Sequence, residues 1–403
     1  MQPIPLTLDS SSPKKFALWQ LGFRPFFLAA VLWAIVAVGL WVAFWPGWAQ
    51  APLLGLAPMD WHAHEMVFGY ASAVIAGFLL TAVRNWTGVQ TWQGWRLALL
   101  LALWLMARLG MLLGGQQAVV WVAAADLSFM ALLIVAVSLP VIRVRQWKHF
   151  GLIAKLVLIL AGNAVFYLGA AGVVSQGVRW GVFSGLYFVL ALIFVMGRRV
   201  IPFFIEKGVE DANVSLKNYR WLDVSSLILF LLFWWFDTFQ PGSDAVVMAL
   251  SVALFLLHGF RLLGWWHRGI WAKPLLWVLY LGYAFLVAGF ALKALAGLAG
   301  ISPFLALHAF AYGGIGMITA GMMARVSLGH TGRNVFQPPA IVGPMFALLL
   351  AGTVVRVVLP LFFGGHYALW ILISQLLWIA AFCLFVTYYL PIFLRPRIDG
   401  RPG

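Results

Sequence analysis

Long apolar runs alternate along this chain with short polar joints, and the joints collect most of the charged residues and many of the Gly and Pro. The runs fall at about 25–46, 61–83, 96–114, 118–140, 150–172, 180–200, 222–237, 244–265, 273–297, 303–326, 338–361 and 366–391. A hydrocarbon core about 30 Å thick takes about 20 residues of helix, so each run is close to the length of one crossing. The runs are apolar on all sides rather than at alternate positions, which predicts helices and not barrel strands. The expected fold is an all-α polytopic membrane protein of twelve transmembrane helices: one domain at 25–391, an N-terminal segment at 1–24 and a tail at 392–403. Residues 1–20 are polar, Lys14 and Lys15 precede the first run, and that run is too long for a signal-peptide core, so the N-terminus is expected to be retained.

Composition agrees and removes other classes. Of 403 residues, 64% are hydrophobic and 9% charged, and the mean hydropathy is +0.98. That leaves too few charged groups to cover a soluble surface, so the expected solvent is the lipid bilayer. The net charge of +15 resembles a nucleic-acid signal only until its positions are read. Arg84, Arg96, Arg143, Arg145, Lys148, Arg198, Arg199, Lys207, Lys217, Arg220, Arg261, Arg268, Lys273, Arg325, Arg333 and the tail arginines all fall on one side, with Arg179 nearly alone on the other. This asymmetry predicts both termini in the cytoplasm and no nucleic-acid partner. Cys383 is the only cysteine, so thiolate clusters and internal disulfides are excluded, and a metal would need His, Met or carboxylate.

The second and tenth runs align at an offset of 244, which places His64 on His308, Gly69 on Gly313, Ala76-Gly77 on Ala320-Gly321 and Thr87-Gly88 on Thr331-Gly332. A shift of 126 carries the tenth run back onto the sixth, matching Met196, Arg199 and Val200 to Met322, Arg325 and Val326, with Val182 where the histidine would stand. The pattern predicts three pseudo-symmetric four-helix units whose first helices meet around a common interior. Close packing alone also repeats small residues.

Ionisable side chains within a membrane are costly and ask for a partner or a role. His64 and His308 lie at similar depth, and two neutral imidazoles from separate helices are able to hold a haem b iron from both faces; packing or hydrogen bonding is the alternative. Arg108, Lys293 and Arg356 fall near the same level as propionate candidates, although Arg108 also has Asp126 as an ion-pair partner across a tight turn. His62 stands about 200° from His64 on a regular helix, so the two cannot share one metal. It is either a ligand to a second metal, with Glu65 or His366, or a headgroup-region residue. His258 and His330, with Met322 and Met323, are candidates for a copper site at the opposite end, where thioethers suit copper(I); core filling is the alternative for the methionines.

The runs Phe23-Arg24-Pro25-Phe26-Phe27, His62-Ala63-His64-Glu65-Met66-Val67-Phe68-Gly69, Asn85-Trp86-Thr87-Gly88, Gly197-Arg198-Arg199-Val200-Ile201-Pro202 and Met323-Ala324-Arg325-Val326-Ser327-Leu328-Gly329-His330-Thr331-Gly332-Arg333 resemble the signatures of the NnrS family over nearly the whole chain. The resemblance implies a bacterial inner-membrane protein containing haem and copper, tied to nitric oxide tolerance and denitrification. If it is an enzyme, it is an oxidoreductase of nitric oxide metabolism with a redox partner. More distantly, the architecture is similar to the catalytic subunit of haem–copper oxidases and nitric oxide reductases, but the sixth run has no histidine and the tenth has one rather than two. Other classes stay open: a transporter, or a chaperone or sensor handling haem or copper. A transporter of inverted halves is disfavoured by repeats that align in parallel.

Overall fold

The computed structural model describes residues 16–210 and 214–401, so Lys14, Lys15 and the expected retained N-terminus lie outside the described residues. It is all-helical, with no strand among the described residues. Twelve helices are long and apolar enough to cross a membrane: α1 Phe23–Phe44, α2 Pro58–Thr87, α3 Trp95–Leu113, α4 Gln116–Arg143, α5 Trp147–Ala170, α6 Gly177–Gly208, α7 Arg220–Phe239, α8 Asp244–Gly264, α9 Pro274–Ala299, α10 Pro303–His330, α11 Val342–Phe362 and α12 Gly364–Leu394. The expected spans match, with shifted ends. α2 runs on to Thr87 because Gly88, at φ +70°, is what turns the chain out of the helix. α6 carries its helix past Arg198, Arg199 and Pro202 to Gly208, so basic residues did not mark its end.

Twelve crossings bring the start of α1 and the end of α12 to one end of the bundle, where Ala17 N–H donates to the Leu394 carbonyl (2.8 Å). Arg24, buried, donates there to the carbonyls of Ile392 (2.9 Å), Phe393 (3.1 Å) and Arg395 (2.7 Å). These groups close α12, whose last carbonyls have no partner within the helix, and a guanidinium at a helix C-terminus also opposes its dipole. The tail returns over the end of α10: Arg397 donates to the His330 carbonyl (2.9 Å) and Ile398 N–H to the Thr331 carbonyl (3.2 Å). Gly332 sits there at φ +78°, so close to Asp399 that a Cβ would meet the carboxylate at 3.0 Å. The Phe-Arg-Pro and Gly-His-Thr-Gly-Arg runs therefore hold the start of α1, the end of α10 and the end of α12 together.

α2 and α10 are the innermost helices, with 89% and 78% of their most apolar windows buried against 28% for α7 and α8. They touch each other and α6, as expected for the first helices of three units, and Tyr70 on α2 and Thr319 on α10 share a hydrogen bond of 2.7 Å. The backbone carries a further mark of repetition. Immediately after His64, α2 widens to a π-helical turn at Glu65–Ala71, and immediately after His308, α10 does so at Ala309–Gly316. The two segments coincide at the sequence offset, and α6 has none. Such π turns cost helix geometry and concentrate at functional positions.

α5 and α6 make the closest helix contact. Gly177, Gly181 and Gly185 recur every fourth residue on α6 and meet Gly169, Phe166 and Gly162 of α5 backbone to backbone. A Cβ at Gly181 would lie 2.5 Å from the Phe166 amide nitrogen, which cannot move without its helix. Gly181→Ala is therefore expected to lower stability by about 1–3 kcal/mol, read as an earlier thermal unfolding of the purified protein in detergent. Gly197→Ala on the same helix, where the nearest atom is the flexible tip of Ile201 at 3.4 Å, is expected to be neutral.

Candidate functional site

Two histidine sites lie near the end of the bundle opposite the chain termini. The first is a fully buried polar cluster across α2–α5. His64 and Glu65 come from α2, Arg108 from α3, Asp126 from α4, and Asn163 and Tyr167, one turn apart, from α5. Arg108 Nη2 is 2.7 Å from Asp126 Oδ2, and its Nη1 is 3.5 Å from Glu65 Oε1. Asn163 and Tyr167 both donate to Asp126 Oδ2 at 3.0 Å. His64 closes the ring, with Nδ1 3.0 Å from Glu65 Oε1 and Nε2 3.0 Å from Asn163 Oδ1. Both nitrogens thus face oxygen acceptors. The ring is packed against Phe166 (4.3 Å between centroids) and Phe68 (5.0 Å). Gly69 permits this closure, since a Cβ there would stand 2.8 Å from Arg108 Nη1 and 3.0 Å from Glu65 Oε2.

The second site gathers His62, His308, Arg356 and Tyr367. His308 Nδ1 is 2.7 Å from the Phe304 carbonyl, which only accepts, and Arg356 Nη2, which only donates, is 3.2 Å from Nε2. The proton therefore sits on Nδ1 and the Nε2 lone pair is directed at the guanidinium. Arg356 also donates to Tyr367 OH (3.0 Å). His62 stacks on Trp41 at 4.5 Å and 11°, and it interacts electrostatically with both Arg356 and His308. Its Nδ1 is buried and makes no hydrogen bond among the described residues. A small apolar cluster of Leu292, Leu305, Ala306, Ala309 and Val357 packs apart from the main core beside this layer.

His62 and His64 have different neighbours: His62 stacks on Trp41 of α1, and His64 faces the polar groups of α3–α5. His64 meets the groups around Arg108 of α3, and His308 meets Arg356 of α11. Of the propionate candidates, Arg356 is beside a histidine, Arg108 is held by Asp126 and Glu65, and Lys293 pairs with Asp237 on α7 at 2.6 Å.

The structure does not bring His258 and His330 together. His258 Nδ1 is 2.7 Å from Tyr283 OH and its ring stacks on Phe194, whereas His330 Nε2 is 3.4 Å from Asn85 Nδ2 beside Phe23. Met323 is buried core. Among the described residues, no group of three or more His, Cys, Asp or Glu side chains stands close enough to hold a metal. Sequence reasoning missed Asn163 and Tyr167, although an amide one turn before a tyrosine within an apolar run is itself a signal.

These features define a multi-pass helical membrane protein with ionic and histidine clusters inside the bundle. The chain belongs to the NnrS family, whose model, described as NnrS protein, matches residues 17–397. Among curated proteins no match was found.

Removing Arg108 leaves two buried carboxylates without their cation. Arg108→Met is expected to cost about 3–5 kcal/mol, and Asp126→Leu added to it to restore part of the loss. Thermal unfolding of the two variants in detergent checks both; equal stability of Arg108→Met and the parent would show that the cluster is not held by charge.

Proposed function

We propose that this chain is a haem-containing membrane protein of the nitric oxide response, with a haem b held between His308 and His62 near the end of the bundle remote from the termini. The observation that carries the reading is the state of His308: a backbone carbonyl fixes its tautomer, and its Nε2 lone pair is turned toward Arg356 within electrostatic range of a second imidazole. Orienting a ligating imidazole through the proton on its other nitrogen is the usual device of metal-binding histidines. The unpartnered, buried Nδ1 of His62 fits the same use. Arg356, with Tyr367 behind it, is the natural counter-ion for a propionate.

His64 takes no part in this reading, because both of its nitrogens are committed within the α2–α5 cluster. When bound, such a haem supplies one-electron transfer, with direct nitric oxide binding only where one imidazole is displaced. In this reading His62 and His308 bind and orient the group, Trp41 fixes the plane of His62, and Arg356 balances its charge. The placement that goes with it is the bacterial inner membrane with both termini cytoplasmic, following the one-sided distribution of Lys and Arg, and a redox partner on one side. Copper belongs to the reading as a family property, without assigned residues here.

The test is the reduced-minus-oxidised spectrum of the purified protein. His62→Ala and His308→Ala are each expected to lose the low-spin haem signal, while His64→Gln keeps it. Loss in His64→Gln with retention in His62→Ala would overturn the assignment.

A further inference from the structure

α6, α7 and α8 enclose a cavity of about 200 Å³ in the half of the bundle nearer the termini, away from both histidine sites described above. Its outer wall is Val224, Leu227 and Ile228 of α7, all exposed apolar side chains. The cavity is therefore entered from the face that lipid covers. Deeper in, His258 lines it at 1% exposure. Its Nδ1 is engaged by Tyr283 OH at 2.7 Å, and its Nε2 is buried and makes no hydrogen bond among the described residues. Phe194 stacks on the imidazole at 4.2 Å. At one edge Asp223 is clasped by Arg261 Nη2 at 2.9 Å and by Arg198.

We propose that this cavity binds the ring of a lipid-soluble quinone or its quinol. An apolar cavity of about 150 Å³ takes up benzene, so this one has room for a single substituted ring. A lipid tail would fill the space but leave the His258 Nε2 unpaired, with the cost of an unmade buried hydrogen bond. An anionic headgroup would need a free cation, whereas Arg198 and Arg261 both already bind Asp223. A quinone satisfies every wall: its carbonyl accepts from Nε2–H, its ring lies against aromatic side chains, and its tail leaves through the lipid-facing mouth. The quinol pairs equally well, because either partner of the Tyr283–His258 bond is able to donate, and the other tautomer turns Nε2 into an acceptor for a hydroxyl. The inference concerns binding and does not depend on the haem reading.

The test is binding of labelled decylubiquinone to the full-length protein in nanodiscs of neutral lipid. Saturable binding is expected, weakened about tenfold or more in His258→Leu through loss of one buried hydrogen bond, and largely retained in His258→Gln. Leu227→Trp, which fills the mouth from the lipid face, is expected to abolish it; this surface position keeps the test valid should His258→Leu fail to fold. Decylbenzene, which has the tail and ring without oxygens, is expected not to compete. Unchanged binding in both His258→Leu and Leu227→Trp, or equal competition by decylbenzene, overturns the proposal. Displacement by phosphatidylglycerol at low mole fraction overturns it in favour of a headgroup phosphate.

Discussion

A charged side chain inside a bilayer has no water to return to, so it must find its counterpart on another helix, and that requirement organises this bundle. Arg108 meets Asp126 and Glu65 in the fully buried interior, and nearer the helix ends Lys293 meets Asp237 and Arg261 and Arg198 meet Asp223. Each pair joins helices that are apolar on every side and would otherwise have little reason to prefer one rotation over another. In lipid, apolar surface gives no net drive for one helix face to meet another, so specificity rests on close packing and on such polar contacts. Buried ion pairs are weak evidence for stability in themselves, since desolvation offsets much of the Coulomb gain. Their effect is on register: moving one helix by a turn would strand a charge, and no apolar contact exacts a comparable cost.

α2 and α10 each place a histidine just before a π-helical turn, with an arginine on the following helix. Beside His64 two carboxylates, Glu65 and Asp126, close a polar ring with Arg108 and Asn163. Beside His308 no carboxylate among the described residues makes an ion pair with Arg356, and the arginine donates to the imidazole directly. One histidine thus has oxygen atoms opposite both nitrogens, and the other accepts from a guanidinium at Nε2. The middle unit has Val182 at the corresponding place and keeps a regular helix throughout α6.

Much of the fold could be read from the sequence because a bilayer demands long apolar runs, and few other folds share that pattern. Helix ends were less legible: α6 continues through Arg198 and Arg199 because helices do not stop at the membrane surface. The pairing of Arg108 with Asp126 was among the readings because a tight turn fixes their distance. The partners of His64 were not, since depth in the membrane follows from counting residues while direction around the helix axis depends on how units are rotated against each other. A sequence offset shows equivalence, and equivalent residues in a pseudo-rotated assembly need not meet.

The contrast between the two histidines also decides which of them is able to take a new ligand. Freeing His64 Nε2 would break its contact with Asn163 and disturb the amide that donates to Asp126, leaving buried acceptors unmet in a place with no solvent, at about 1–3 kcal/mol for each group. Freeing His308 Nε2 releases only one arm of Arg356. That guanidinium keeps Tyr367 and stays charged, so a ligand bringing an anionic group to the same layer would re-pair it, while the Nδ1 bond to Phe304 goes on holding the ring. The exchange at His308 conserves its hydrogen bonds, and the exchange at His64 does not. A buried imidazole can exchange partners cheaply only where its resting partner is inexpensive to release, and the arginine opposite His308 meets that condition.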